Sequence, residues 1–148
     1  MTKIYLDACC LNRPFDDQNQ ARIRLETEAI ILILERLHQR EWVWISSEVL
    51  FFELKQTVDI ERRERLLLLA RQSHQVVELT QETMTQAEKL AALGFDSYDA
   101  LHLACAQQSN VDVFLTTDDE LLKVVRQNKE SLPFLAANPL RWLQDMLK

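Results

Sequence analysis

Glycine is nearly absent: of 148 residues only Gly94 is one. Loops that cradle phosphate need several glycines so that backbone N–H groups can approach the ligand. P-loop and dinucleotide-binding fingerprints are therefore excluded. Proline is scarce too, with three residues, and no Pro- or Ser-rich stretch marks a linker. The three cysteines, Cys9, Cys10 and Cys105, are two neighbours and one remote thiol. That spacing matches neither a disulfide framework nor a zinc site, so a reducing compartment is expected. Long apolar runs are also missing. The longest aliphatic stretch, Ala29 to Leu34, is far too short to cross a bilayer, and MTKIYLDACC turns acidic before a signal-peptide core could form. A cytoplasmic protein without a membrane partner is the expectation. Positive charge is in the minority. A formal net charge of −6 argues against broad electrostatic binding of nucleic acid and restricts any phosphate contact to a local patch.

What is present is an alternation of strand and helix signals, in a length (residues 1–148) suited to a single domain with a real core. Lys3 to Leu6 predicts a short buried strand ending at Asp7, and Leu11 to Gln20 a loop broken by Pro14. Ala21 to Arg40 is helical, with Ile23, Ile30, Leu34 and Leu37 on one stripe. Trp42 to Ile45 is a second strand, after which Ser46 and Ser47 can cap a helix running through Glu53 to about Val58. Charged residues Glu61 to Arg65 open the next helix, and Val76 to Leu79 forms a third strand. Thr80 to Leu93 is helical and closed by Gly94, and the helix starting near Asp96 carries SYDALHLACAQQ. A fourth strand (Val111–Leu115), a helix (Asp118–Arg126), a fifth strand (Phe134–Ala136) and a last helix (Leu140–Leu147) complete the chain. The pattern predicts the α/β class: a parallel sheet of about five strands flanked by helices on both faces.

In such a sheet, ligands bind outside the carboxyl ends of the strands, where strand order reverses. Asp7 directly follows strand one and Asp118 closely follows strand four. If the two strands are neighbours, both acids open into one crevice. Glu53 interrupts the apolar run VLFFEL and shares a helix face with Val49 and Leu50. An acid there must be solvated, paired or bound to metal. Asp99 lies in the first turn of its helix, where the backbone dipole favours a carboxylate. Four such groups brought together repel, each pair by about 4 kcal/mol at about 4 Å and an effective dielectric of about 20. Either some are protonated or a cation sits among them. Oxygen ligands select Mg²⁺ or Mn²⁺ over zinc, and phosphodiester hydrolysis is the chemistry that best uses such a site.

The segments YLDACCLNRPFDD, SSEVLFFEL, DSYDALHLACA and VFLTTDDELL, in this order, resemble the PIN-domain family, and more narrowly its stand-alone VapC-type toxin ribonucleases. The likeness runs over nearly the whole chain. It implies a PIN-like domain with strand order 3-2-1-4-5 and endoribonuclease activity on RNA dependent on Mg²⁺ or Mn²⁺. It also implies a small antitoxin protein as partner. Carried over by position, Asp7, Glu53, Asp99 and Asp118 are the catalytic acids. Asp7, Asp99 and Asp118 hold the metal, and Glu53 holds metal or positions the attacking water. Thr116 matches the threonine of the last motif and could bond a carboxylate or that water. The chain departs from the family at Ala8, Cys9 and Cys10, where Ser, Thr or Asn often follows the first aspartate.

Structural roles compete with these. Asp96 can cap its helix with Asp99 at N3, or serve as a further metal or supporting acid. Thr117 with Glu120 spells a capping box. Glu53 could pair with a Lys or Arg, and Asp119 and Glu48 read as solvated. His102, at i+3 from Asp99, reads as a partly buried, satisfied histidine rather than a ligand, and Cys105 as core. Asn12 could supply a polar contact that the cysteines lack, and Arg13 a contact to RNA phosphate, as could Arg22 and Arg24. The run AIILIL reads as core, wide enough to leave room for a homodimer or a partner helix. A catalytically inactive PIN scaffold that binds RNA or protein is the alternative function. Metal binding and the effect of Asp7→Asn distinguish the two. A receiver domain would need Asp after strand three and Lys after strand five, where Thr80 and Asn138 stand. A dehalogenase-type phosphatase would need Asp at Cys9.

Overall fold

Three of the four residues of β1 (Lys3–Leu6) divide their side chains between two cores. In the computed structural model, which describes all 148 residues, Ile4 and Leu6 enter one apolar layer and Tyr5 the other. Successive residues of a strand face opposite sides of a sheet, so a strand covered on both sides must be apolar throughout. β2 (Val43–Ser47) and β4 (Val113–Leu115) follow suit. Trp44, Val113 and Leu115 join Ile4, whereas Ile45 and Phe114 join Tyr5. With β3 (Gln75–Val77) and β5 (Leu135–Ala137) these make a five-stranded parallel sheet in the order β3-β2-β1-β4-β5. The α/β class and the 3-2-1-4-5 order are those expected.

One face is covered by α1 (Ala8–Asn12), α2 (Ala21–His38), α3 (Glu48–Leu54), α4 (Ile60–Ala70) and α8 (Pro139–Met146). The other is covered by α5 (Gln81–Ala92), α6 (Ser97–Gln108) and α7 (Asp119–Gln127), with Val49 of α3 joining them. The AIILIL run of α2 is split by the helical period. Ala29, Ile30 and Ile33 are core, while Ile31 and Leu32 are about half exposed. No helix is long and apolar enough to cross a membrane.

Boundaries shift where side chains cap the backbone. The segment expected as a loop is partly helical. Asp7 Oδ1 accepts from Ala8 N at 2.8 Å and starts α1, and a 3-10 turn, Arg13–Phe15, follows. Ser47, accepting from Leu50 N at 3.1 Å, caps α3, which ends at Leu54 rather than near Val58. β3 stops at Val77, and Leu79 N instead donates to Glu48 Oε1 at 2.7 Å. Gly94 takes a φ of 115° after α5, a conformation that suits glycine.

Candidate active site

β1 and β4 are hydrogen-bonded neighbours with Leu6 opposite Leu115, so Asp7 and Thr116 leave the sheet side by side. Thr116 Oγ1, fully buried, donates to Asp7 Oδ2 at 2.8 Å and accepts from Asp118 N at 3.1 Å. Asp118 caps α7 by accepting from Glu120 N at 2.9 Å and Leu121 N at 3.2 Å. The cap is thus Asp118, not Thr117, and the expected Thr117–Glu120 box is not formed. Asp96 caps α6, its Oδ1 accepting from Asp99 N at 2.9 Å. These acids and Glu53 wall one open cleft of about 480 Å³ together with Cys9, Ser97 and Tyr98. Asp7, Glu53, Asp96, Asp99 and Asp118 are therefore brought together, with Thr116 directly beneath.

Glu53 pairs with no Lys or Arg. Its Oε1 lies 2.6 Å from His102 Nε2, and His102 Nδ1 lies 2.6 Å from Tyr5 Oη, which in turn bonds Ser47 Oγ at 2.6 Å. His102 is fully buried rather than partly so, and Nε2 is 3.9 Å from Asp7 Oδ1. One ligand atom from each of Asp7, Glu53 and His102 lies within 4.8 Å of the others, close enough to share an ion. In the sequence His102 stands three residues after Asp99, while its partners Tyr5 and Glu53 are remote from it. Cys9 holds the position where a hydroxyl or amide was expected. Its Sγ is 3.4 Å from Asp7 Oδ2 and 3.2 Å from Thr116 Oγ1, and it accepts from Thr117 N at 3.3 Å.

Two supporting expectations are corrected by where the side chains go. Arg13 does not line the cleft. Its guanidinium is held 2.8 Å from the buried Glu26 and 3.3 Å from Asp16. Asn12 does not line it either. Its amide donates to Ala8 O at 3.0 Å and its oxygen accepts from Arg62 Nε at 3.0 Å. Arg22 is engaged as well, 2.7 Å from the exposed Asp119 and 3.2 Å from Glu26.

None of the eight residues lining the cleft is basic, and the acids carry the consequence. Burial pushes the Asp99 carboxyl up to about 8, helped by the charges of Asp7, Asp96 and Asp118. Burial also raises Asp7, against the pull of His102, Thr116 and Cys9. For His102, burial opposes protonation, but Glu53, Asp7 and Asp99 outweigh it and its pKa rises above that of a free imidazole. Crowded carboxylate oxygens are the donor set of a hard divalent ion; here the ligand atoms close enough to share one belong to Asp7, Glu53 and His102, while Asp99 and Asp118 line the same cleft.

Fold and cleft together define an α/β domain with an acidic site at the carboxyl edge of its sheet. The chain belongs to the PIN-domain family, which matches residues 4–127. Among solved structures it is similar to VapBC-1 from nontypeable Haemophilus influenzae, at 14% identity and a TM-score of 0.60 over 93% of this chain and 98% of that one. VapBC2 from Rickettsia felis, bound to a DNA fragment from its promoter, matches at 11% identity and a TM-score of 0.59, over 92% and 98%. Mycobacterium tuberculosis VapC20, a sarcin-ricin loop cleaving toxin, matches at 15% and 0.55, over 81% and 93%. No curated protein matches.

Proposed function

We propose that this chain is a metal-dependent endoribonuclease, the toxin of a toxin–antitoxin pair. The observation that carries the reading is the cleft itself. Acids from β1, α3, α6 and α7 converge with no Lys or Arg among them and His102 as their one basic neighbour, and Asp99 is driven up to about 8 by burial and by Asp7, Asp96 and Asp118. Asp7, Asp99 and Asp118 would hold Mg²⁺ or Mn²⁺. The ion, when bound, supplies the Lewis acidity that makes water a nucleophile near neutral pH and offsets charge gathering on the phosphate oxygens. Thr116 fixes the rotamer of Asp7, and Asp7 and Asp118 each spend one oxygen on a helix cap. Glu53, anchored through Oε1 by His102, accepts a hydrogen bond from the attacking water and orients it in line with the leaving oxygen. Cleavage then leaves a 5′-phosphate and a 3′-hydroxyl.

The similar structures support the toxin reading, since one is of an RNA-cleaving toxin and two are of VapBC assemblies. A small antitoxin covering the cleft would silence it, and Ile31 and Leu32 on α2 offer apolar surface to that partner or to a second copy. The test is cleavage of mixed RNA with Mg²⁺ or Mn²⁺, with chelator and Asp7→Asn as controls. Cleavage by the parent alone, and only with metal, is expected. Equal cleavage by parent and Asp7→Asn would overturn the reading.

A further inference from the structure

Tyr98 is the only aromatic side chain among the residues that line the acidic cleft. It precedes Asp99 in the first turn of α6 and is 37% exposed. Its ring lies near-parallel to the imidazole of His102, with centroids 6.5 Å apart and planes 28° from parallel. His102 cannot shift, being fully buried and held 2.6 Å from both Tyr5 Oη and Glu53 Oε1. The tyrosine ring is thus backed by a fixed plane beside the carboxylates.

The cleft has a binding problem that this ring answers. A divalent ion held by its acids would take one phosphate, but no basic residue lines the cleft to hold the rest of the backbone, and the guanidinium groups of Arg13, Arg22 and Arg62 are spent on Glu26, Asp119 and Asp16. Beyond that ion, coulombic attraction to the RNA backbone in the cleft is weak, and the nucleotide needs a further hold. A nucleobase carries no charge, and stacking on an aromatic ring holds any base, provided that it is unpaired. We propose that Tyr98 is the platform on which an unpaired base next to the scissile phosphate stacks. The inference deepens the ribonuclease reading and rests on it for the position of the phosphate. The stacking contact itself is independent of cleavage.

The experiment places 2-aminopurine at each position in turn of a short single-stranded RNA and titrates the full chain in calcium, a cation that takes oxygen ligands. Parent, Tyr98→Phe and Tyr98→Leu are compared, with circular dichroism confirming that each is folded. Quenching at one or two adjacent positions is expected. It should persist in Tyr98→Phe and vanish in Tyr98→Leu, with affinity falling about five- to 150-fold. The same RNA annealed to its complement should not be quenched. A Tyr98→Leu chain with parental quenching and affinity, or a parent that quenches nowhere, overturns the proposal. Cleavage of the unlabelled RNA by parent and Asp7→Asn reports separately on the nuclease. A chain that quenches but never cuts keeps the platform and loses the nuclease, and one that cuts but never quenches does the reverse.

Discussion

Thr116 bonds both strand-end acids with one oxygen, donating to Asp7 Oδ2 at 2.8 Å while accepting the backbone N–H of Asp118 at 3.1 Å. The hydroxyl therefore couples the end of β1 to the turn that starts α7, and fixes two proposed metal ligands relative to each other. Thr116→Val keeps the shape and removes both bonds. The buried Asp7 oxygen and the Asp118 N–H lose a partner, at a cost of about 1–3 kcal/mol in stability. Loss of such an orienting contact should weaken divalent-ion binding about 10- to 100-fold, read by isothermal titration of Mn²⁺. Parental Mn²⁺ affinity in a folded Thr116→Val chain would remove the threonine from the site.

The acids make stability depend on pH in an unusual direction. Folded, Asp99 keeps its proton up to about 8, because of burial and its acidic neighbours. Unfolded, a carboxyl of this kind titrates near about 4. Between those values the folded chain binds more protons, so stability from this group is full below the lower value and is lost as pH rises through the upper one. Asp7, raised mainly by burial, and His102, raised by Glu53 and Asp7 against burial, act in the same sense. In chelator, thermal scans should show the parent losing stability from about pH 5 to about pH 8, less steeply in Asp99→Asn. Mg²⁺ or Mn²⁺ should restore it most at the alkaline end. Identical profiles for parent and Asp99→Asn would contradict the crowding of these acids.

Much of this was legible in the sequence, because strand ends and helix starts are local features. The strand pattern puts Asp7 after KIYL and Asp118 after VFLTT at the carboxyl ends of their strands, and the family resemblance implies that those two strands are neighbours. What escaped were contacts across the chain. His102 sits in an apolar stripe, as a core residue does, and its partners Tyr5 and Glu53 lie 97 and 49 residues away. Asn12 and Arg13 have local partners in Ala8 and Asp16, but their other partners are remote in sequence. Arg62 of α4 and Glu26 of α2 meet them only in the fold.

Arg13 consequently belongs to a structural network centred on Glu26. That carboxylate is 1% exposed and takes Arg13 at 2.8 Å, Arg22 at 3.2 Å and the Asn138 amide at 2.6 Å. Asn138 also caps α8, accepting from Leu140 N at 2.8 Å, so Glu26 ties α2 to the start of α8 and to the 3-10 turn that holds Arg13. Glu26→Ala strands buried donors and should cost about 3–5 kcal/mol by urea unfolding. Arg13→Ala leaves Glu26 two partners and should cost about 1–3 kcal/mol. An Arg13→Ala chain of parental stability but weakened RNA binding would return this residue to the RNA.

The chain Ser47–Tyr5–His102–Glu53, buried up to the cleft-lining Glu53, has a direction that its end groups impose. Glu53, when ionised, can only accept, so the proton between it and His102 sits on Nε2. If the imidazole is neutral, Nδ1 must accept, and Tyr5 donates to it while Ser47 donates to Tyr5. If it is charged, Nδ1–H donates and the two hydroxyls reverse. Glu53 receives the same bond in both states, so its orientation survives titration of the histidine. Tyr5, whose pKa burial holds well above that of a free phenol, stays protonated throughout. His102→Ala should therefore release Glu53 and lower kcat about 10- to 100-fold with little change in KM, because the water is misdirected while the substrate still binds. Tyr5→Phe, which orphans a ring nitrogen but leaves the Glu53 bond intact, should cost about 1–3 kcal/mol in stability and far less in kcat. Equal kcat losses in the two variants would mean that the histidine acts only through folding.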